Sequence, residues 1–338
     1  MTIDRRTLAL GLSALPLAAC ATGGGRRSGR PLIIAHRGAS GERPEHTADA
    51  YMLAISQGAD FIEPDLVATK DGVLICRHEH ELGDTTDVSQ QPRWASRRTT
   101  KRMEGREVTG WFAEDFTMAE ISELGARERM PEVRPGNDRA NGYQLVPTFQ
   151  DVIDIAKIQA ERLGRPVGIY PELKHPSYLK SIGLDTAELL VEALRRNGLP
   201  SRQVPVFIQS FEAEPLKGLG AKTGAQIVFL TSDREAVTPA RLNELASYAQ
   251  GLGAEKALLT PELVRNVRAE GLKIHTWTYR AENAYLPADL RRGTDRNAHG
   301  DMAGEITRAL DMGIDGLFSD YPGLAVQARD AWWAQQNR

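Results

Sequence analysis

Short β-branched runs alternate with helix-length stretches along this chain, and that alternation narrows the folds open to it more than any other feature. Strands are expected at Leu32-Ile33-Ile34-Ala35, Phe61 to Val67, Val167 to Ile169, Val204 to Ile208 and Ala225 to Leu230. A weaker one follows at Tyr248 to Leu252, then two more at Ile274 to Thr278 and Gly316 to Phe318. Between them lie helix patterns such as Thr47 to Gln57. Another is Thr186 to Arg196, with Ala187, Leu190, Val191 and Leu194 at helical spacing and Asn197-Gly198 as a stop signal. Strands alternating with helices imply parallel βαβ units, and eight of them fit a (β/α)8 barrel. Periodicity alone does not establish that the barrel closes.

One stretch breaks the rhythm. From about Gly83 to Leu145 the chain is polar and irregular, apart from short patterns such as Met118 to Leu124. It reads as an insertion over 83–145 on one end of the barrel, too polar for a core of its own. A second long loop, Arg280 to Asp301, follows the seventh strand. The full length of 338 residues holds one such barrel with insertions. The expected layout is an export signal over 1–20, a flexible linker over 21–30, the barrel domain over 31–326 and a C-terminal tail over 327–338.

The signal is expected because Arg5-Arg6 precedes an apolar run, Leu8 to Ala19, that is short for a membrane span. Leu17-Ala18-Ala19-Cys20 resembles a bacterial lipoprotein box, in which cleavage leaves a lipidated Cys20 to anchor the chain to a membrane. A plain signal peptide with an incidental cysteine is the alternative. The arginine pair also resembles a twin-arginine export signal. The protein is therefore expected to be exported, periplasmic and membrane-anchored. With Cys20 acylated, Cys76 is the only other thiol, and its apolar surroundings suit a buried small hydrophobe. A net charge of −3 argues against nucleic acid as the main partner. Arg97, Arg98, Lys101 and Arg102 form the only dense positive run, either a solvated face or an attraction for an anionic substrate or lipid surface.

The chemistry-bearing residues gather at strand ends. His36-Arg37-Gly38 directly follows the first strand, where a barrel presents side chains to its mouth. Imidazole exchanges protons near neutrality, guanidinium binds phosphate oxygens in a fork, and glycine lets the turn approach a ligand. Glu63-Pro64-Asp65 places two carboxylates at i and i+2, on one face of the second strand. Two anions there need a positive partner, which a hard divalent cation or a salt bridge would supply. Glu45 adds a carboxylate near the first strand's end. Glu172-Leu173-Lys174 closes the third strand, with Glu172 suited to a metal and Lys174 to phosphate. In His78-Glu79-His80 both imidazoles share a face, so either can be the second proton-transfer group.

In order, His36-Arg37-Gly38, Pro44-Glu45-His46-Thr47, Glu63-x-Asp65, His78 and Glu172-x-Lys174 resemble the glycerophosphodiester phosphodiesterase family. So do Gln209-Ser210-Phe211, Trp277-Thr278 and the run Gly313-x-Asp315 to Pro322, over about Pro31 to Val326. The His46 of Pro-Glu-His-Thr and the long insertion resemble its bacterial periplasmic branch. The resemblance implies a TIM barrel and a metal bound by Glu63, Asp65 and Glu172. It also implies His36 and His78 as general acid and base, Arg37 on the phosphate, and Glu45, Lys174, Gln209 and Trp277 on the substrate side. Two positions depart from the pattern: Glu79 stands where the family has Asp, and Gly83-Asp84 where it has Arg a few residues after the histidine.

The implied reaction is metal-dependent hydrolysis of a small glycerophosphodiester to sn-glycerol 3-phosphate and an alcohol such as choline, ethanolamine or glycerol. Calcium (Ca2+) is the expected ion, because three carboxylates suit it and an exported protein meets it; magnesium (Mg2+) has the same ligand preference. The alternatives are a phospholipase acting on lysophospholipid or lipid head groups, and a non-catalytic binding lipoprotein. The second would be marked by loss of His36, His78 or a metal carboxylate, and all are present.

Overall fold

A computed structural model describes residues 29–103 and 105–338. The export signal, Cys20 and nearly all of the 21–30 linker lie outside the described residues. The strands in chain order are β1 (Leu32–His36), β2 (Phe61–Glu63), β3 (Asp65–Ala68), β4 (Leu74–Cys76), β5 (Thr99–Met103) and β6 (Arg106–Gly110). They continue with β7 (Gly168–Ile169), β8 (Glu172–Leu173), β9 (Phe207–Ser210), β10 (Gln226–Thr231), β11 (Gly251–Glu255), β12 (Lys273–Tyr279) and β13 (Gly316–Ser319).

Two prolines account for two of the five strands beyond eight, and β4, β5 and β6 pair antiparallel outside the ring. Pro64 separates β2 from β3 and Pro171 lies between β7 and β8. Proline has no N–H to give a ladder, so each pair is one barrel strand with a gap. Ile62 faces Ile169 on one side of the gaps and Asp65 faces Glu172 on the other, both in parallel register. The ladder then runs β8–β9–β10–β11–β12–β13–β1–β2 and returns to β7, with Leu32 opposite Gly316. Counted this way the ring has eight parallel strands and closes: the chain is a (β/α)8 barrel.

The barrel interior is packed and determines where the site begins. Ile34, Phe61, Tyr170, Phe207, Val228 and Phe318 form one buried cluster. Tyr170 and Phe207 stack with centroids 4.8 Å apart. Since successive strand side chains alternate, the residue two positions on from each of these points the same way. Those residues include His36, Glu63, Glu172, Gln209 and Leu230, and all of them line one cleft at the carboxyl end of the strands. The aromatic plug is thus the floor of the cleft.

The 83–145 segment differs from its expectation in one respect. Its Val88, Phe116, Ile121 and Leu124 bury together with Leu82 and Val146 at its borders, against Val67 and Ile75. Its sparse apolar residues suffice because they share a core with the β3–β4 hairpin rather than building one alone. The antiparallel hairpin β5–β6 also belongs to this segment. The expected tail is likewise not free. The last helix runs Pro322–Gln336 with Ala325, Ala328, Arg329 and Trp332 buried, and Arg329 donates to Asp60 and to the Pro31 carbonyl.

Candidate active site

His36 ends β1 and Arg37 begins the turn, with φ of 60° in the left-handed region that non-glycine residues rarely enter. His46 shares that conformation at φ 53°. At Gly38, φ is 81° and a Cβ would lie 2.6 Å from the Ala50 carbonyl carbon, so the turn requires glycine. Several polar contacts hold these conformations. The Arg37 amide donates to Glu63 Oε2 at 2.8 Å, and its guanidinium donates to both oxygens of Glu45 at 3.0 and 3.2 Å. Arg37 Nε lies 3.2 Å from Asp65 Oδ2, which also lies 2.9 Å from His46 Nε2. Tyr51 contacts the far nitrogen of His46.

Glu63, Asp65 and Glu172 converge, each with an oxygen within 4.8 Å of the others, and all three are buried. Burial and the facing carboxylates of Asp65 and Glu172 push Glu63 well above the usual carboxylate range. Burial, with Asp65 adding to it, raises Glu172 to about 8 against the pull of Lys174. Asp65 is held low despite its burial, by Lys174, Arg37 and His46. Among the described residues, Asp65 Oδ1 and Gln209 Oε1 are buried with no hydrogen-bond partner. Gln209 Nε2 meanwhile donates to Glu63 Oε1 at 3.2 Å. Repelling carboxylates beside orphaned oxygen acceptors fit a hard divalent cation, Ca2+ or Mg2+.

The two imidazoles flank this cluster. His36 Nδ1 lies 2.6 Å from Asp320 Oδ1. Burial and Arg37 lower its pKa to about 4, so at neutral pH Nδ1–H donates to Asp320 and the Nε2 lone pair is left for a ligand. His78 lies at the other flank, where Lys174 Nζ is 3.1 Å from its Nε2 and 2.8 Å from Glu172 Oε1. Burial, Arg37 and Lys174 bring His78 to about 4 as well. Glu79 Oε1 lies 2.6 Å from His78 Nδ1, off the hydrogen-bond axis. His80, two residues on from His78 in the bend after β4, is fully buried and does not line this cleft. Its Nδ1 lies 3.3 Å from Glu114, and its ring meets Tyr178 edge-on. The imidazole on the cleft is therefore His78.

The structure brings together His36, Arg37, Glu63, Asp65, His78, Glu172, Lys174 and Gln209. Trp277 lines the same cleft, its indole N–H donating to the Gly253 carbonyl at 3.0 Å. Glu45 lies behind Arg37 as its brace. Lys174, expected on the phosphate, is occupied between Glu172 and His78. Four further residues went unassigned in the sequence. Phe211, exposed beside Trp277 with centroids 5.6 Å apart, and Arg280 both line the cleft. Asp320 holds His36, and Arg134 of the insertion reaches Asp320. Asp320 follows the eighth barrel strand directly, so its strand-end position was the available signal. Arg134 carried none.

The family model described as glycerophosphoryl diester phosphodiesterase family matches residues 36–324. A glycerophosphodiester phosphodiesterase of Bacillus subtilis is 33% identical, covering 94% of each chain. Glycerophosphodiester phosphodiesterase GDPD6 of Arabidopsis thaliana is 36% identical over 88% of this chain and 85% of its own. Among solved structures, an Oleispira antarctica phosphodiesterase in complex with the product sn-glycerol-3-phosphate superposes with a TM-score of 0.65 at 22% identity. It covers 89% of this chain and 97% of its own. A protein of Silicibacter pomeroyi superposes at 0.67 and 21% identity, covering 90% and 95%. At those identities the structures speak to the barrel alone.

Proposed function

This chain belongs to the glycerophosphoryl diester phosphodiesterase family, and from that premise we propose that it hydrolyses glycerophosphodiesters to sn-glycerol 3-phosphate and an alcohol. The observation that carries this reading is the pair of neutral imidazoles, His36 and His78, flanking a buried carboxylate triad with Arg37 in the same cleft. Glu63, Asp65 and Glu172 would hold the cation, with calcium preferred. When bound it would offset negative charge on the phosphoryl oxygens.

Arg37 binds a phosphoryl oxygen, and Glu45 and Asp65 keep its guanidinium from swinging away. His36 Nε2 removes a proton from the glycerol hydroxyl next to the phosphate ester, because Asp320 keeps the other ring nitrogen protonated. The hydroxyl attacks phosphorus, and the departing alcohol oxygen takes a proton through His78, which draws it at Nε2 from the Lys174 ammonium 3.1 Å away. The resulting cyclic phosphate is opened by water with the two histidines exchanging roles. Holding the hydroxyl against the phosphate makes the first attack intramolecular. Phe211 and Trp277 offer an apolar wall for the carbon skeleton at the cleft mouth.

The test is a product assay on glycerophosphocholine, glycerophosphoethanolamine and lysophosphatidylcholine, in chelator and after add-back of calcium or magnesium. Glycerol 3-phosphate is expected from the first two, with activity lost in chelator and restored best by calcium. Exclusive cleavage of the lipid would replace the substrate assignment, and full activity in chelator would remove the cation. A glycerophosphodiester with the neighbouring hydroxyl blocked is expected to resist hydrolysis, and equal turnover would exclude the cyclic route. Export with anchoring through Cys20 is part of the same proposal and rests on the N-terminal sequence.

A further inference from the structure

Asp320 is buried and its carboxylate is saturated. Oδ1 accepts from His36 Nδ1 at 2.6 Å, while Oδ2 accepts from Arg134 Nη2 at 2.6 Å and Arg280 Nε at 2.8 Å. Two guanidinium donors on one oxygen fix the plane of the carboxylate and so aim the other oxygen at the histidine. The two arginines are not equivalent. The Arg280 side chain is 22% exposed, whereas that of Arg134 is 4% exposed and held at every end. Its Nε donates to Glu282 Oε1 at 2.7 Å and its Nη1 to the Ser40 carbonyl at 3.0 Å. Glu282 is in turn fixed by the Tyr321 hydroxyl at 2.8 Å. Ser40 returns the chain of contacts to its start, because its hydroxyl donates to the His36 carbonyl at 2.8 Å. Arg134 therefore meets His36 by two routes, one through the ring and one through the backbone.

Nothing in the barrel itself supplies this arginine; it belongs to the 83–145 insertion. We propose that Arg134 is a positioning residue for His36, acting through Asp320, so that the insertion completes the proton-transfer geometry of a site otherwise built by barrel strands. A rigid buried guanidinium suits that task because its planar fork satisfies three acceptors from three separate segments at once. Lysine, with a single ammonium, would retain the charge but not the three directions. The inference rests on the assignment of His36 as a proton-transfer group in diester hydrolysis.

The experiment compares wild type with Arg134→Met, Arg134→Lys, Asp320→Asn and the double variant Arg134→Met/Asp320→Asn. Each is measured for kcat and KM on glycerophosphocholine with calcium, and for its melting temperature. For Arg134→Met, kcat is expected to fall about 10- to 100-fold, the size that a small misplacement of a catalytic group produces. KM should stay within about threefold, as expected when an interaction of the transition state alone is lost. Arg134→Lys should restore part of kcat. In the Asp320→Asn background, adding Arg134→Met should change kcat by less than about threefold, because both act on the same imidazole. A fall that multiplies with that of Asp320→Asn, or a folded Arg134→Met variant with wild-type kcat, overturns the proposal.

Nitrogen NMR of the histidine rings gives a readout independent of turnover and applies to Arg134→Lys if the methionine variant does not fold. His36 is expected as a single Nδ1–H tautomer in wild type and as a mixture in the Arg134 variants. An unchanged His36 signal in them refutes positioning. Should wild type cleave no glycerophosphodiester, the functional assignment fails, while the ring signal still decides whether Arg134 orients His36.

Discussion

Replacing Glu172 by glutamine should stabilise the metal-free protein while destroying its activity, and the structure sets both sign and size. Glu172 is buried against Asp65, and in the metal-free protein its carboxyl is raised from 4.5 to about 8. A folded carboxyl raised above its unfolded value holds a proton that the unfolded chain has released. Stability is therefore lost as pH rises from 4.5 to 8 and stays at the lower level beyond. The full loss, (8 − 4.5) × 1.36, is about 5 kcal/mol above pH 8 and about 3 kcal/mol at pH 7. Glutamine keeps an oxygen for Lys174, which now donates to Glu172 at 2.8 Å, and carries no charge to repel Asp65.

Thermal unfolding in chelator at pH 5 and pH 7.5 measures this. The variant should melt within a degree or two of wild type at pH 5 and about 5–8 °C above it at pH 7.5, at roughly 2 °C per kcal/mol for a domain this size. Calcium should close most of that gap. Wild type gains about 3 kcal/mol at a hundredfold excess over its dissociation constant, while the variant gains little. A variant that melts at or below wild type at pH 7.5 in chelator would refute the reasoning. So would a calcium gain equal to that of wild type.

His78→Ala should lower kcat by about 10²- to 10⁴-fold with little change in melting temperature. His80→Ala should instead leave kcat within about threefold and cost about 1–3 kcal/mol in denaturant unfolding, because Glu114 loses a buried partner. Gly38→Ala, forced against the Ala50 backbone at positive φ, should lower stability by about 1–3 kcal/mol and slow turnover by shifting the His36-Arg37 turn. Both effects are read from one melting curve and one rate measurement. Cys20→Ser should move the exported protein from the detergent fraction to the aqueous fraction on phase separation; an unchanged partition would remove the lipid anchor.

Much of the site was legible because it depends on local periodicity. His36 at a strand end, and Glu63 and Asp65 two residues apart, announce their common face in any parallel barrel. Periodicity did not choose the second imidazole, which only the family resemblance named as His78, because His78 and His80 stand two residues apart. They are separated only by what faces them: Lys174 and Glu172 across from one, Glu114 and Tyr178 across from the other. The core of the insertion was hidden for a related reason. Its apolar residues are too few to suggest a core until Val67 and Ile75 are added from the neighbouring hairpin.

The chemistry of the opening alternation was decided by the sequence alone: eight strand-forming runs, with histidine, arginine and carboxylates at the ends of the first three. Short-range geometry is enough for that, because strand and helix periods act over a few residues. Tertiary structure decided the closure across the gaps at Pro64 and Pro171, and the raised carboxyls that only convergence of distant strands produces. It also decided the Arg134–Asp320–His36 chain. Those contacts join segments far apart in the chain, and no local pattern constrains which buried arginine meets which buried acid.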